Sequence, residues 1–248
     1  MATDETPANV AERGNHHIYT VRTENLVWYG AADNRGHAAI DGFGILPGFA
    51  GVLVRDDYGG YHKYDSDLAG VQLCCAHLLR DLQAVYEIDP DAQVWAEQVG
   101  WALRQAATLA QAAAAAGADH IDAEALTHLR WVYDQGLAVG ISINLSRRWH
   151  KGNHPGLVLA RRLQNKADQV WLFTSDLRVP WTNNASEQAL RMVKLQQKIS
   201  GCWRTLATTQ VFCRIRSYLT TARNHGIRPL DAIRDALTGT PFMSPAPA

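Results

Sequence analysis

The texture of the chain changes at Asp89-Pro90, and that change restricts the folds open to it. Before it, Met1 to about Pro7 fits a short strand, and His17–Thr23 and Asn25–Ala31 are rich in β-branched and aromatic residues and spaced as consecutive antiparallel strands. Gly36–Leu46 fits a short helix, and Gly51–Asp56 is an apolar run ending in a charge, as a buried central strand does at its carboxyl edge. Val71–Cys75 fits another short strand leading into a helix over Ala76–Tyr86. After Asp89-Pro90 the segments lengthen. Ala92–Ala116 carries an alanine run with Gly117 as its stop, and Asp122–Gln135 has Gly136 behind it as a second stop. Lys151–Pro155 is a turn, followed by one helix to about Phe173; Arg214–Asn224 and Pro229–Leu237 add two more, and Pro241–Ala248 is a frayed tail. No internal repeat and no low-complexity linker interrupts the series.

Three strands, a helix, a strand ending in aspartate, a further strand and a late helix bearing glutamate give the order of an α/β, RNase H-like mixed sheet flanked by helices. The long helices become an all-helical insertion before the last catalytic helix. The expected boundaries are 1–89 for the strand half, 90–175 for the insertion, 176–240 for the helical half and 241–248 for a disordered tail.

Charge is distributed unevenly. The 248 residues carry 24 Lys or Arg and 24 Asp or Glu, a net of zero. Yet Arg178 to Arg228 holds nine Lys or Arg against Glu187 alone, a local +8, so the remainder carries −8. A neutral average therefore hides a basic segment suited to a polyanion. No stretch approaches the ~20 apolar residues of a membrane span and no signal peptide stands at the N-terminus, which reads as a cytoplasmic chain with no membrane partner. The cysteines, 74, 75, 202 and 213, form no CxxC pair. Cys74 and His77 offer two zinc ligands, but a structural site needs four and no second pair is spaced to supply them.

The segment Pro180–Arg204 concentrates the chemistry. On a helix starting near Asn184, positions 187, 191, 194 and 198 share a face, with Glu187 the only acid among cations. Asn184-x-x-Glu187 also reads as a plain capping box followed by a Glu–Arg pair. In the fold order above, Asp4 on the first strand, Asp56 at the end of the fourth and Glu187 converge at one edge of the sheet. Three carboxylates suit two magnesium ions, which take hard oxygen ligands and serve in-line displacement at phosphorus. Without metal, such carboxylates repel one another and at least one has its pKa raised.

Several longer stretches carry a resemblance. Asp4-Glu-Thr, Gly44 through Tyr61 (GILPGFAGVLVRDDYGGY), Leu73 through Leu82 (LCCAHLLRDL), Trp181 through Glu187, Lys198 through Arg204 and Arg216 through Gly226 resemble, in order, the insertion-sequence-66 family of bacterial DDE transposases. The resemblance implies an enzyme that cuts DNA at transposon ends and joins the freed 3′ hydroxyls to target DNA, with Mg2+ or Mn2+. It puts Asp4, Asp56 and Glu187 in the place of the family's catalytic, metal-binding acids, with Asp57 as the alternative to Asp56. It matches Cys74-x-x-His77 to a family Cys-x-Ala-His element, so that His77 orients the scissile phosphate or a water while Cys74 packs. Arg80 is read either as helix surface or as a phosphate contact.

Arg191, Lys194, Lys198 and Arg204 are assigned to the DNA backbone, against the alternative of an ordinary solvated face. Trp203 is read either as a stacking platform for an unpaired base or as a core aromatic; Trp28 and Trp181 are assigned to packing. Family members carry a long N-terminal portion for end binding and subunit assembly, whereas only Met1-Ala-Thr precede Asp4 here. The second expectation is therefore an N-terminally truncated remnant that binds DNA without transposing. An active complex, which holds two ends together, implies a homo-oligomer.

Overall fold

The structure is a computed structural model describing residues 1–245. In chain order its elements are β1 (Ala2–Pro7), β2 (His17–Arg22), β3 (Val27–Ala32), α1 (His37–Gly42), β4 (Val52–Arg55), a 3-10 segment (Gly59–Asp67), β5 (Gly70–Leu73), α2 (Cys75–Tyr86) and α3 (Val94–Ala115). Then come α4 (Ala123–Leu145), α5 (Pro155–Asn165), α6 (Ala167–Ser175), α7 (Asn184–Ser200), α8 (Leu206–Asn224) and α9 (Pro229–Leu237). The protein is a mixed α/β chain that divides into two compact units. One holds Met1–Ala69 together with the residues from Asn183 onward, the other Gly70–Thr182.

In the first unit the strands lie in the order β3-β2-β1-β4. β1 pairs antiparallel with β2, setting Asp4 opposite Thr20 and Glu5 opposite Tyr19, and β4 joins parallel, with Ala2 opposite Val54. Alternation along the strands separates two cores. Ile18, Val27, Tyr29 and Ala31 pack on one face with Leu190 and Val193 of α7, Trp203 and Cys213 of α8. Tyr19 and Leu53 pack on the other with Ile40, Leu46, Tyr61 and Tyr64. On α7 the buried positions are Ser186, Leu190 and Val193, an i, i+4, i+7 stripe that lays one side of the helix on the sheet.

α8 begins at Leu206, well before the expected Arg214, because Thr205 and Thr208 form a reciprocal capping box. The longer helix has a use. The Tyr29 N–H donates to Ser217 Oγ at 2.8 Å, the Val27 N–H to Thr221 Oγ1 at 3.1 Å, and Gln210 Nε2 donates to the Ala31 carbonyl at 3.2 Å. One helix thus satisfies the outer edge of β3, which would otherwise be open to pairing with another strand. The 3-10 segment was not foreseen from the sequence, since its residues follow neither the strand nor the α-helix period.

In the second unit α4 continues past Gly136, which was expected to stop it. A Cβ at Gly136 would stand 2.7 Å from Val99 Cγ2, and one at Gly140 would stand 2.5 Å from the Trp95 ring. Both glycines are therefore close-approach positions against α3. The helix expected to run to Phe173 is two, broken at Lys166 (φ −110°, ψ 21°). Buried Gln72 of β5 ties to α6, donating to the Val170 carbonyl at 3.0 Å and accepting the Phe173 N–H at 2.8 Å. The expected tail lies partly outside the described residues: 241–245 form no helix or strand, and 246–248 are not described.

Candidate active site

Asp4 sits in the middle of β1, on the face that receives α7: alternation pairs its side with that of Thr6 and Ile18, and Glu5 with that of Tyr19. Ala2 of β1 is paired in parallel with Val54 of β4; Asp4 follows Ala2 by two residues and Asp56 follows Val54 by two, just beyond β4. The start of α7 is fixed to the same strand. Asn183, 1% exposed, donates from Nδ2 to the Thr3 carbonyl at 3.2 Å, and its own carbonyl accepts the N–H groups of Ser186 at 2.8 Å and Glu187 at 3.1 Å. This corrects the capping expectation. The N-cap position is Asn183, not Asn184; Asn183 makes no side-chain cap hydrogen bond, and its Nδ2 donates to β1 instead. Glu187, half-buried, follows in the first turn.

Asp4 feels the charges of its acidic neighbours. The Asp4 carboxyl is pushed up to about 7, first by burial, then by the negative charge of Glu5 and more weakly by Asp56 and Glu187, against the N–H of Glu5, which pulls it down. Proton binding is thus favoured where negative charge is crowded and poorly solvated. Asp4, Asp56 and Glu187 are all hard oxygen donors, the type that Mg2+ and Mn2+ take.

Asp57 faces different partners. Its Oδ1 lies 3.0 Å from His62 Nε2 and 3.8 Å from Nη1 of Arg55. Asp56 instead accepts the Tyr58 N–H at 3.0 Å through Oδ1. Arg55, fully buried, is held by both oxygens of Asp65 at 2.8 and 2.7 Å and donates to the Asp56 carbonyl at 2.8 Å. It fixes the backbone turn from which Asp56 projects.

Sequence reasoning left Glu5 without a role. Its side chain is 2% exposed on the opposite face from Asp4, accepting from Arg35 Nε at 2.8 Å and from the Tyr61 hydroxyl, with the Arg35 guanidinium 3.6 Å above the Tyr58 ring. Burial raises its pKa while Tyr61 and Arg35 oppose the rise. The available signal was the two-residue period, which turns adjacent acids of a strand to opposite faces.

Arg191, Lys194 and Lys198 are exposed on α7, and Arg204 is exposed in the connection to α8; none has a carboxylate partner among the described residues. Trp203 is placed in the core, 9% exposed with its ring centroid 5.3 Å from that of Phe212, a packing position. Trp28 packs edge-on to Phe43 at 4.8 Å. His77 and Cys74 belong to the second unit: Cys74 is the buried N-cap residue of α2, and the His77 N–H donates to its carbonyl at 3.0 Å. Arg80 is exposed on the same helix.

Residues 1–210 match the family model described as Transposase IS66 family. The chain belongs to the IS66 transposase family. No curated protein and no solved structure matches it. The IS66 match takes in β1–β4, α7 and the start of α8, so Asp4, Asp56, Glu187 and the basic row of α7 all lie inside it, while α9 lies beyond. Among the described residues no helix is long and apolar enough to cross a membrane.

Proposed function

We propose that this IS66 transposase is a DDE enzyme on an RNase H-like fold, in which Asp4, Asp56 and Glu187 bind Mg2+ or Mn2+ for cleavage of DNA at transposon ends and strand transfer into target DNA. The parallel register that puts Asp4 and Asp56 each two residues past the matched pair Ala2 and Val54, with the helix that bears Glu187 tied to β1, carries the reading. Bound there, paired divalent ions supply activation of the attacking oxygen and stabilisation of the leaving one.

The chain's own residues do the rest. Asn183 holds the start of α7 on β1, so Glu187 stays oriented toward the strand acids. Arg191, Lys194, Lys198 and Arg204 neutralise backbone phosphates, adding salt-dependent affinity without reading sequence. His77 is assigned to orient the scissile phosphate or a water. A His77→Gln variant then loses turnover while keeping metal affinity.

Calorimetric titration of the full chain with Mn2+ tests the metal site. Binding is expected to be lost in Asp56→Asn and kept in Asp57→Asn; equal binding by Asp56→Asn and the unaltered chain overturns the assignment.

A further inference from the structure

Basic residues are concentrated a second time in the chain. Between Gln135 and Ala167 stand six Lys or Arg and no Asp or Glu, within a remainder that is acidic on balance. Some of these cations are committed inside the second unit: Arg147 pairs with Asp89 at 2.8 Å and Arg162 with Asp81 at 2.5 Å. Arg148 and Lys151, in the loop between α4 and α5, are exposed and have no carboxylate partner among the described residues.

Between these two cations lies Trp149, and the loop around it is pinned at both ends. At one end Arg147 holds Asp89, and its N–H donates to the Asn144 carbonyl at 3.3 Å. At the other, His154 is 3% exposed and caps α5 by accepting the Gly156 N–H at Nδ1, 3.1 Å away. The Trp149 ring stands edge-on to His154 with centroids 4.8 Å apart, and His150 lies 5.1 Å from it. A partly exposed indole, packed against the histidine that caps α5 and flanked by two solvated cations, sets one aromatic ring and two positive charges within four residues.

We propose that Arg148, Trp149 and Lys151 form a second DNA contact, one that takes an unpaired strand by stacking a base on Trp149 and neutralising adjacent phosphates with Arg148 and Lys151. This rests on the reading of DNA as the substrate. The contact belongs to single strands because the indole offers a base face rather than a groove edge, and every base has such a face. Holding the ring through His154 lowers the ordering cost of stacking. Arg147 is an anchor, not a phosphate contact.

The test is fluorescence anisotropy of the full chain with a labelled oligothymidine and with a duplex of equal length, across a salt series. Arg148→Ala with Lys151→Ala is expected to lower the single-strand salt slope by about one and a half. Trp149→Ala is expected to weaken single-strand binding by about five-fold or more at an unchanged slope, while Trp149→Phe retains most of it. Equal losses for Trp149→Phe and Trp149→Ala, or an unchanged slope in the double variant, overturn the proposal, as does an equal effect on the duplex, which would mark a general basic surface. Circular dichroism melts establish that each variant is folded. Failure of the catalytic reading is separately visible: it shows as Mn2+ binding that survives Asp56→Asn and leaves these slopes untouched.

Discussion

Asp4 lies two residues past Ala2 on β1, and Asp56 lies two residues past its parallel partner Val54, one position beyond the end of β4. Parallel pairing keeps both acids on the same side of that matched position, since in an antiparallel pair the residues following one matched position run apart. The crowding has a measurable cost before any cation binds.

That cost should appear as a pH dependence of stability. An aspartate in the unfolded chain titrates near 3.9, whereas Asp4 in the folded chain is pushed up to about 7. Between these values the folded state holds a proton that the unfolded chain has released. Stability from this group is therefore greatest below the unfolded value, falls as pH rises through the interval and levels off above about 7. In the presence of chelator, the urea midpoint of the unaltered chain should fall between pH 5 and pH 8, by up to a few kcal/mol in stability. Asp4→Asn should flatten that fall, and Mn2+ should restore the midpoint of the unaltered chain at pH 8. An undiminished pH dependence in Asp4→Asn would place the shifted group elsewhere.

Asn183 is predicted to matter for metal binding without being a ligand. Its amide bond to the Thr3 carbonyl is buried and ties α7 to β1. Asn183→Ala should reduce stability by about 1–3 kcal/mol, the cost of leaving a buried carbonyl without its donor. It should also weaken Mn2+ binding, because Glu187 loses its fixed position. Reduced stability with unchanged metal affinity would show that the helix start is held by other contacts.

Exposed cations on α7 carry a prediction about DNA. Lys194→Ala with Lys198→Ala should weaken duplex binding and lower the magnitude of its salt slope by about two. The lysines have no carboxylate partner among the described residues, so little stability should be lost. An unchanged slope would assign them to an ordinary solvated face.

Much of the first unit was legible because its strands are short and β2 and β3 are rich in β-branched and aromatic residues: β1, β2 and β3 fall within two residues of the expected bounds. What escaped depended on tertiary partners. Gly136 looks like a helix stop in one dimension, yet it makes room for Val99 of α3, so α4 runs on to Leu145. Asn183 and Asn184 are indistinguishable as caps by type, and only the Thr3 carbonyl separates them. Glu5 seemed redundant beside Asp4 until Arg35 and Tyr61, distant in sequence, were seen to close around it. For the candidate site, Asp4, Asp56 and Glu187 could be named because each lies at a recognisable strand or helix position. The register of the first two is set by β1–β4 pairing, which no local pattern encodes.

Strand transfer by the full chain tests the central claim most directly. The assay supplies Mn2+, a target duplex and a pre-cleaved oligonucleotide of the element's own terminal sequence, with Asp56→Asn and Glu187→Gln as the paired variants. The predicted result is joined product from the unaltered chain, background levels from both variants, and unimpaired DNA binding by all three. Joined product surviving both substitutions would contradict the assignment of the site, and DNA binding with no joining by the unaltered chain would leave a DNA-binding remnant in place of an enzyme.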